Sequence, residues 1–196
     1  MKVLRNIEQE VEQFEIGDQI ALHLESIGDF TATAQKVTDQ GTLFFFDTCL
    51  NDRAMNEENS NRSGFAESDL CRWMNEELLD AFPDDIRKNL VPLEGGNLLT
   101  VPTVGEMFGG SDFFENDGNE QLPLMKSRKN RICYDQNDDW CWYWLQNRRK
   151  GSSAGFASVY GGGSLNYTDA SATFELRPRF LLGDLESGPL VGASQK

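Results

Sequence analysis

From Gly17 to Leu50 the chain alternates polar and apolar residues with a period of two, the spacing of strands that lie half against a core. Gln19-Ile20-Ala21-Leu22-His23-Leu24 is the first such run, Phe30-Thr31-Ala32-Thr33-Ala34 the second, and Thr42-Leu43-Phe44-Phe45-Phe46-Asp47 the third. Gly28-Asp29 and Asp39-Gln40-Gly41 punctuate them as turns, so the stretch predicts an antiparallel meander. Residues 51–64 are polar and turn-rich and read as a loop. The period then changes. Leu70, Trp73, Met74 and Leu78 fall at i, i+3, i+4 and i+8, one face of a helix, with Ser68 as N-cap and Asp69 at the positive end. Pro83 to Leu90 predicts a second, short helix, with its proline in the first turn, acids early and bases late. At the front of the chain, Ile7, Val11 and Phe14 have helical spacing among Glu and Gln, which fits an amphipathic lead-in or a frayed charged terminus.

From Val91 to Ile132 regular periodicity is lost to glycines and prolines, yet Leu98, Leu99, Val101, Val104, Met107, Phe108, Phe113 and Phe114 recur. So many large apolar groups predict ordered loops wrapped against a core. Next, Trp140, Trp142 and Trp144 alternate with Cys141, Tyr143 and Leu145, so both faces of this strand are bulky and apolar. Two readings fit: a central core strand, or a strand with one face lining a recognition surface. The following tract, to Thr173, is mostly Ser, Gly, Ala, Thr, Asn, Asp and Tyr, with sparse anchors at Phe156, Val159 and Leu165. That composition suits binding loops, where Tyr supplies area and Ser, Gly and Asn adapt their hydrogen bonds; it also suits a turn-rich β region. Arg177-Pro178-Arg179-Phe180-Leu181-Leu182 reads as a closing strand, with the proline at an edge or a strand start and Arg177 holding a structural carboxylate or loop carbonyls. The simplest organisation is a lead-in over 1–15, one domain over 16–182 and a loose tail over 183–196.

Charge narrows the partners. Eighteen Lys and Arg against 32 Asp and Glu give a net charge of −14, which argues against nucleic-acid backbone binding. No apolar window is long enough to span a membrane, and the acidic front of the chain lacks the apolar core of a signal peptide. Cytoplasmic or virion-associated residence is expected. The four cysteines, Cys49, Cys71, Cys133 and Cys141, form no CxxC pair and read as buried reduced thiols, with a Cys133–Cys141 bridge as the alternative. No zinc site and no cofactor motif follows from these spacings. His23, the one histidine, lies on a strand's polar phase with nothing nearby read as its partner, so a Ser-His-Asp or Cys-His site has no support. Asp135, Asp138 and Asp139 are the acids a glycan-directed hydrolase would draw on; Asn137-Asp138-Asp139 offers oxygens suited to calcium but lacks EF-hand spacing.

Several motifs in order resemble the domain family DUF6273. They are Leu43-Phe44-Phe45-Phe46-Asp47 with Cys49-Leu50, Met55-Asn56, Gly64-Phe65-Ala66-Glu67-Ser68-Asp69-Leu70 into Trp73-Met74-Asn75, and Phe82-Pro83. Pro102-Thr103-Val104-Gly105-Glu106-Met107-Phe108-Gly109, Gln121-Leu122-Pro123-Leu124-Met125-Lys126, Arg131-Ile132 and Tyr143-Trp144-Leu145-Gln146-Asn147 continue the series. Phe156-Ala157-Ser158-Val159 and Leu176-Arg177-Pro178-Arg179-Phe180 close it. The C-terminal part also resembles C-type-lectin-like proteins, among them the variable proteins of diversity-generating retroelements. There a tryptophan-bearing strand leads into a tract ending in an Arg-Pro signature. Glu175 and Arg179 depart from that pattern, standing where the family has glycine and a small residue. The resemblance implies an α+β, C-type-lectin-like fold with antiparallel sheets, one main helix, a second short one and long ordered loops. It does not imply oxidase activity or calcium-dependent sugar binding, since the cysteine pattern and the lectin triplets are absent.

The function expected is non-enzymatic binding of a protein or other macromolecular ligand by a phage-related scaffold, with a glycan-directed hydrolase or a virion structural part as alternatives. The resemblance, with the tract's composition, makes Tyr143, Asn147, Ser153, Ser158, Tyr160, Ser164, Asn166, Tyr167 and Asp169 the candidate variable surface, with no metal and no cofactor.

Overall fold

The computed structural model describes residues 13–115 and 118–183. The lead-in, through residue 12, and the tail, from residue 184, lie outside the described residues. Strands β1 (Gln19–Leu24), β2 (Gly28–Thr38) and β3 (Gly41–Phe46) form the expected antiparallel meander. On β2 the pattern does its ordinary work: Phe30, Ala32 and Ala34 are buried while Thr31 faces outward. All of β3 is buried, because its run of apolar residues feeds two cores at once. Phe44 and Phe46 point into one core cluster, Leu43 and Phe45 into the other.

The segment predicted as a loop contains a strand, β4 (Leu50–Ala54). Ser68 caps the helix as expected, its Oγ accepting from the Cys71 N–H at 3.1 Å. Helix α1 (Asp69–Trp73) then passes into a π-helical turn, Met74–Leu78, and a 3₁₀ turn, Leu79–Ala81. Asn75 accounts for the widened turn. Its Nδ2 takes the Cys71 carbonyl and the Leu99 carbonyl, both at 2.8 Å, while its Oδ1 accepts from the N–H groups of Leu98 and Leu99. Leu70, Met74 and Leu78 are still buried together. Helix α2 (Asp84–Arg87) follows Pro83, and short strands β5 (Leu90–Val91) and β6 (Leu99–Thr100) come next. Helix α3 (Val104–Phe108) carries a full capping box: the Thr103 side chain accepts from Glu106 N–H, and the Glu106 carboxylate accepts from Thr103 N–H. Helix α4 (Arg128–Arg131) precedes the second sheet.

That sheet has the order β4, β10 (Thr173–Leu176), β7 (Tyr143–Arg148), β8 (Gly155–Val159), β9 (Leu165–Asp169), antiparallel except where β10 meets β7. The closing strand β11 (Arg179–Leu182) leaves it and inserts in the first sheet between β3 and the pair β5 and β6. It is an interior strand. Pro178 stands immediately before it, where its missing N–H costs no ladder bond, and its carbonyl accepts from Phe46 N–H at 3.0 Å.

The closing strand ties the two sheets into one packed body. Phe180 stacks on Phe44 at 5.6 Å and meets Phe46 and Phe82 edge-on. Trp144, Phe156 and Phe174 of the second sheet belong to the same cluster. Arg177 and Arg179 are both nearly fully buried. The Arg177 Nε donates to the Phe46 carbonyl at 2.8 Å and its Nη1 to the Asn130 carbonyl at 2.9 Å, the carbonyl-holding role expected of it. Arg179 donates to Thr100 Oγ1 at 2.7 Å and forms an ion pair with Glu106. The fold is therefore mixed α+β, mostly antiparallel, with few and short helices. None of the described helices is long and apolar enough to cross a membrane.

Candidate functional site

The tryptophan ribbon resolves into two parts. Trp144 is fully buried, with its Nε1 donating to the Arg53 carbonyl at 2.8 Å. Tyr143 and Leu145 are buried on the opposite face, so β7 is a core strand with both sides covered. Ahead of the strand the cover runs out: Trp140 is 60% exposed and Trp142 40% exposed. The rings nevertheless stay in line with the core. Trp144 lies 5.1 Å from Phe174, Phe174 lies 5.6 Å from Trp142, and Trp142 stacks on Tyr160 at 4.8 Å with an interplanar angle of 15°. Trp140 adds a fifth ring, tilted against Trp142 at 6.3 Å, and Phe156, the sixth, closes the inner end beside Trp144. A ladder of aromatic rings thus starts in the core and emerges at the surface, which makes its outer rings rigid.

Two local devices hold the outer rings. Trp142 and Glu175 exchange bonds: the Trp142 N–H donates to the Glu175 carboxylate at 3.2 Å and the Glu175 N–H to the Trp142 carbonyl at 3.0 Å. Glu175, which departs from the lectin-like pattern, is thereby the anchor of the platform. The Trp140 ring packs against Gly161. A Cβ at Gly161 would overlap ring carbons Cε3 and Cζ3 and stand 2.7 Å from Cδ2. The glycine run is clamped from below by α4, with Arg128 Nε donating to the Gly162 carbonyl at 2.6 Å and Arg131 Nε to the Gly163 carbonyl at 3.1 Å.

The nine sequence-derived site residues separate. Three are interior and must be removed from any accessible surface. Tyr143 is fully buried and its hydroxyl donates to the Arg131 carbonyl at 2.6 Å; burial pushes its pKa well above the usual phenol value. Asn147 is buried, its Oδ1 accepting from Val104 N–H at 2.7 Å and its Nδ2 donating to the Glu115 carbonyl at 3.0 Å. Ser158 is buried, with no hydrogen-bond partner for its Oγ among the described residues. The physical reason is shared: all three stand on β7 and β8, the inner strands of the sheet, and both faces of those strands are covered.

The other six divide by strand register. Tyr160 N–H bonds the Ser164 carbonyl, and Ser158 is paired with Asn166, so Tyr160, Ser164 and Asn166 share the face that carries Trp142. Tyr167 and Asp169 take the opposite face, where Arg149 stacks over the Tyr167 ring at 3.4 Å. Asp169 pairs with Gly155 at the far end of the hairpin, near Ser153, about 16 Å along the strand from Tyr160. The site that geometry assembles is therefore the platform of Trp140, Trp142 and Tyr160, edged by Ser164 and Asn166. Trp140 and Trp142 were absent from the sequence-derived set. The signal for them was the alternation itself, which begins at Trp140, three residues upstream of the start of β7.

Other candidate chemistry is arranged differently. The Asp135 carboxylate accepts from the N–H groups of Asp139 at 2.9 Å and Asn137 at 2.8 Å, which lowers its pKa and keeps it ionised. Asp138 holds a left-handed backbone at φ 64°, completing this turn. Among the described residues no group of three or more His, Cys, Asp or Glu is placed to hold a metal. His23 has a partner after all: Nδ1 lies 2.7 Å from the Asp29 carboxylate across the β1–β2 hairpin, both side chains exposed. All four cysteines are free and buried. Cys49 touches both Cys133 and Cys141, and burial first, then those thiol contacts, push its pKa up. At Cys133 burial acts in the same sense, but the bond from Cys49 and the Arg177 charge outweigh it and lower the pKa.

No curated protein and no solved structure gives a significant match to this chain. Residues 39–117, which run from β3 through α3 to the loop that meets β7, match the family model described as Domain of unknown function (DUF6273), the family that the sequence motifs of that span resemble.

Proposed function

We propose that this chain is a non-enzymatic ligand-binding protein with a C-type-lectin-like frame, and that the platform of Trp140, Trp142 and Tyr160 is its contact surface. One observation carries the reading: the exposed rings of Trp140 and Trp142 and the half-buried ring of Tyr160 are held by ring contacts on a ladder rooted in the core. Exposed aromatic groups held rigidly give large contact area with little ordering cost, and Trp and Tyr dominate contact energetics in protein interfaces. Ser164 and Asn166 beside them supply adaptable hydrogen bonds. The lectin-like frame is supported by the Arg-Pro-x-Phe strand, which returns from the second sheet to close the first.

The partner class that suits such an open platform is a protein or other macromolecule. The exposed positions Ser153, Ser164, Tyr167 and Asp169 and the half-buried Asn166 lie off the core, so their identities are free to change, which supports a diversified surface of the retroelement type in a phage-related, cytoplasmic or virion-associated protein. The alternative hydrolase reading would use Asp135 as the ionised member of a carboxylate pair, since its bonds stabilise the carboxylate and leave the general-acid role to another residue. The test is a paired screen. Wild type and the W142S/Y160S double variant are applied to the same glycan and protein arrays. Binding by wild type that falls about tenfold or more in a folded double variant is expected from the loss of two aromatic anchors. Equal signals from both proteins refute the assignment of the platform.

A further inference from the structure

The row of exposed rings does not end at Trp140. Tyr134 and Trp140 form an isolated antiparallel bridge, and side chains directly opposite in such a pair share a face. The alternate positions, Cys133 and Cys141, are buried in the second core cluster, so Tyr134, Trp140 and Trp142 all project to the other side. Tyr134 is 47% exposed. At about 150–250 Å² for a whole aromatic side chain, it offers together with Trp140 and Trp142 roughly 300 Å² of surface. An ordinary interface between folded proteins takes about 800 Å² from each partner. The row therefore fits a short extended segment better than a folded face.

Charge selects the occupant. The chain between Tyr134 and Trp140 is the turn that carries Asp135, Asp138 and Asp139. Asp135 directs its carboxylate to the N–H groups of Asn137 and Asp139. Asp138 and Asp139 are exposed, and among the described residues no Lys, Arg or His pairs with either. At Trp142 the half-buried Glu175 carboxylate adds a further negative group. The cations behind the glycine run, Arg128 and Arg131, are committed to the carbonyls of Gly162 and Gly163. A second copy of this chain, at a net charge of −14, is repelled by such a rim. A neutral glycan would cover the rings and leave Asp138 and Asp139 without a counter-charge. Arginine meets both features at once, because its guanidinium stacks on aromatic faces and pairs with carboxylates.

We infer that the platform receives a short, extended, arginine-bearing basic segment of a protein partner, with guanidinium groups laid on the exposed rings of Tyr134 and Trp140 and paired with Asp138 and Asp139. The inference rests on the platform reading above and names its ligand class. The rings supply the contact area, and the acids beside them supply the preference for a cation.

Fluorescence anisotropy of the full chain with labelled eight-residue peptides, alternating Gly with Arg, Ser or Glu, decides it. The Gly-Arg peptide should bind, and the other two should bind at least about tenfold more weakly. Trp140→Ser should raise the Gly-Arg Kd about 3- to 10-fold, the effect of losing one cation–π contact. Asp138→Asn with Asp139→Asn should raise it by a similar factor of about 3 to 10, the effect of two exposed ion pairs. Asparagine accepts the left-handed backbone of Asp138, so the turn is kept. Glu57→Gln with Glu58→Gln removes the same charge from an exposed loop at the far end of the hairpin, near Asp169, and should leave Kd unchanged. Equal losses in the two acid variants would mean attraction to net charge alone and overturn the inference. So would absence of Gly-Arg binding, equal binding of the Gly-Ser peptide, or a Kd unmoved by Trp140→Ser. If array binding is lost in W142S/Y160S while the Gly-Arg peptide is ignored, the platform reading stands and this inference alone falls; glycan hits of that kind put a glycan in place of the basic segment.

Discussion

Replacing Gly161 by alanine probes the platform through one methyl group. Gly161 has no left-handed φ, so its backbone accepts alanine without strain; the obstacle is the Trp140 ring, whose carbons occupy the place of the new Cβ. The indole must lift away. With 60% of Trp140 already exposed, about 100 Å² of it is covered, worth at most roughly 2.5 kcal/mol at 25 cal/mol/Å². Alanine returns about 0.4–1 kcal/mol by restricting the unfolded chain, leaving a net loss of about 1–2 kcal/mol. For a chain of this length that is a fall in Tm of roughly 3–6 °C. Gly162→Ala is the internal control, because its Cβ would meet only the far end of the Arg128 side chain, at 3.1 Å. Thermal unfolding followed by circular dichroism gives the stability. Near-ultraviolet dichroism reports the Trp140–Trp142–Tyr160 stack, and should change in Gly161→Ala but not in Gly162→Ala. Identical Tm values and identical near-ultraviolet spectra for the two variants would refute the packing of Trp140 on the glycine turn.

Three further outcomes are expected. Arg179→Met leaves the Glu106 carboxylate largely buried beside an apolar chain and should cost about 3–5 kcal/mol in urea unfolding, with part of the loss restored when Glu106→Gln is added. Asp135 has a lowered pKa in the folded state, so its contribution is complete above the ordinary aspartate pKa of about 4 and is lost as pH falls below it. Asp135→Ala should therefore flatten the acid limb of a Tm-against-pH curve and leave its shape unchanged above pH 5. The thiols should resist iodoacetamide at pH 8 in the folded protein, because all four are buried and Cys71 is pushed up to about 11 by burial; all should label in denaturant, as counted by mass spectrometry.

What the sequence made legible follows the range of the forces involved. The meander was readable because period-two alternation and its turns are local. The start of α1 was readable because Ser68 caps a residue only three positions away. Its π-helical turn was not, since Asn75 reaches Leu98 and Leu99, more than twenty residues on. Helix α3 had a local signal in Thr103-x-x-Glu106, masked by Gly105 and the surrounding turn residues. Strand β4 was hidden by polar composition, because it lies at the edge of its sheet beside β10. At the site, composition found the right region but not the right residues. Asn147 has the chemistry of a binding residue, yet its amide serves Val104 and Glu115, partners no spacing rule connects to it. The resemblance to DUF6273 lay in short motifs, and the span with the family match is the one holding β3, α1 and α3.

The most direct measurement of the central claim compares two libraries displayed on cells and sorted for folded protein. One randomises Ser153, Ser164, Asn166, Tyr167 and Asp169, which lie off the core; the other randomises Tyr143, Asn147 and Ser158, which lie within it. If the closing strand holds a frame that carries its surface independently, most members of the first library fold and few of the second do. Equal depletion of both would contradict it.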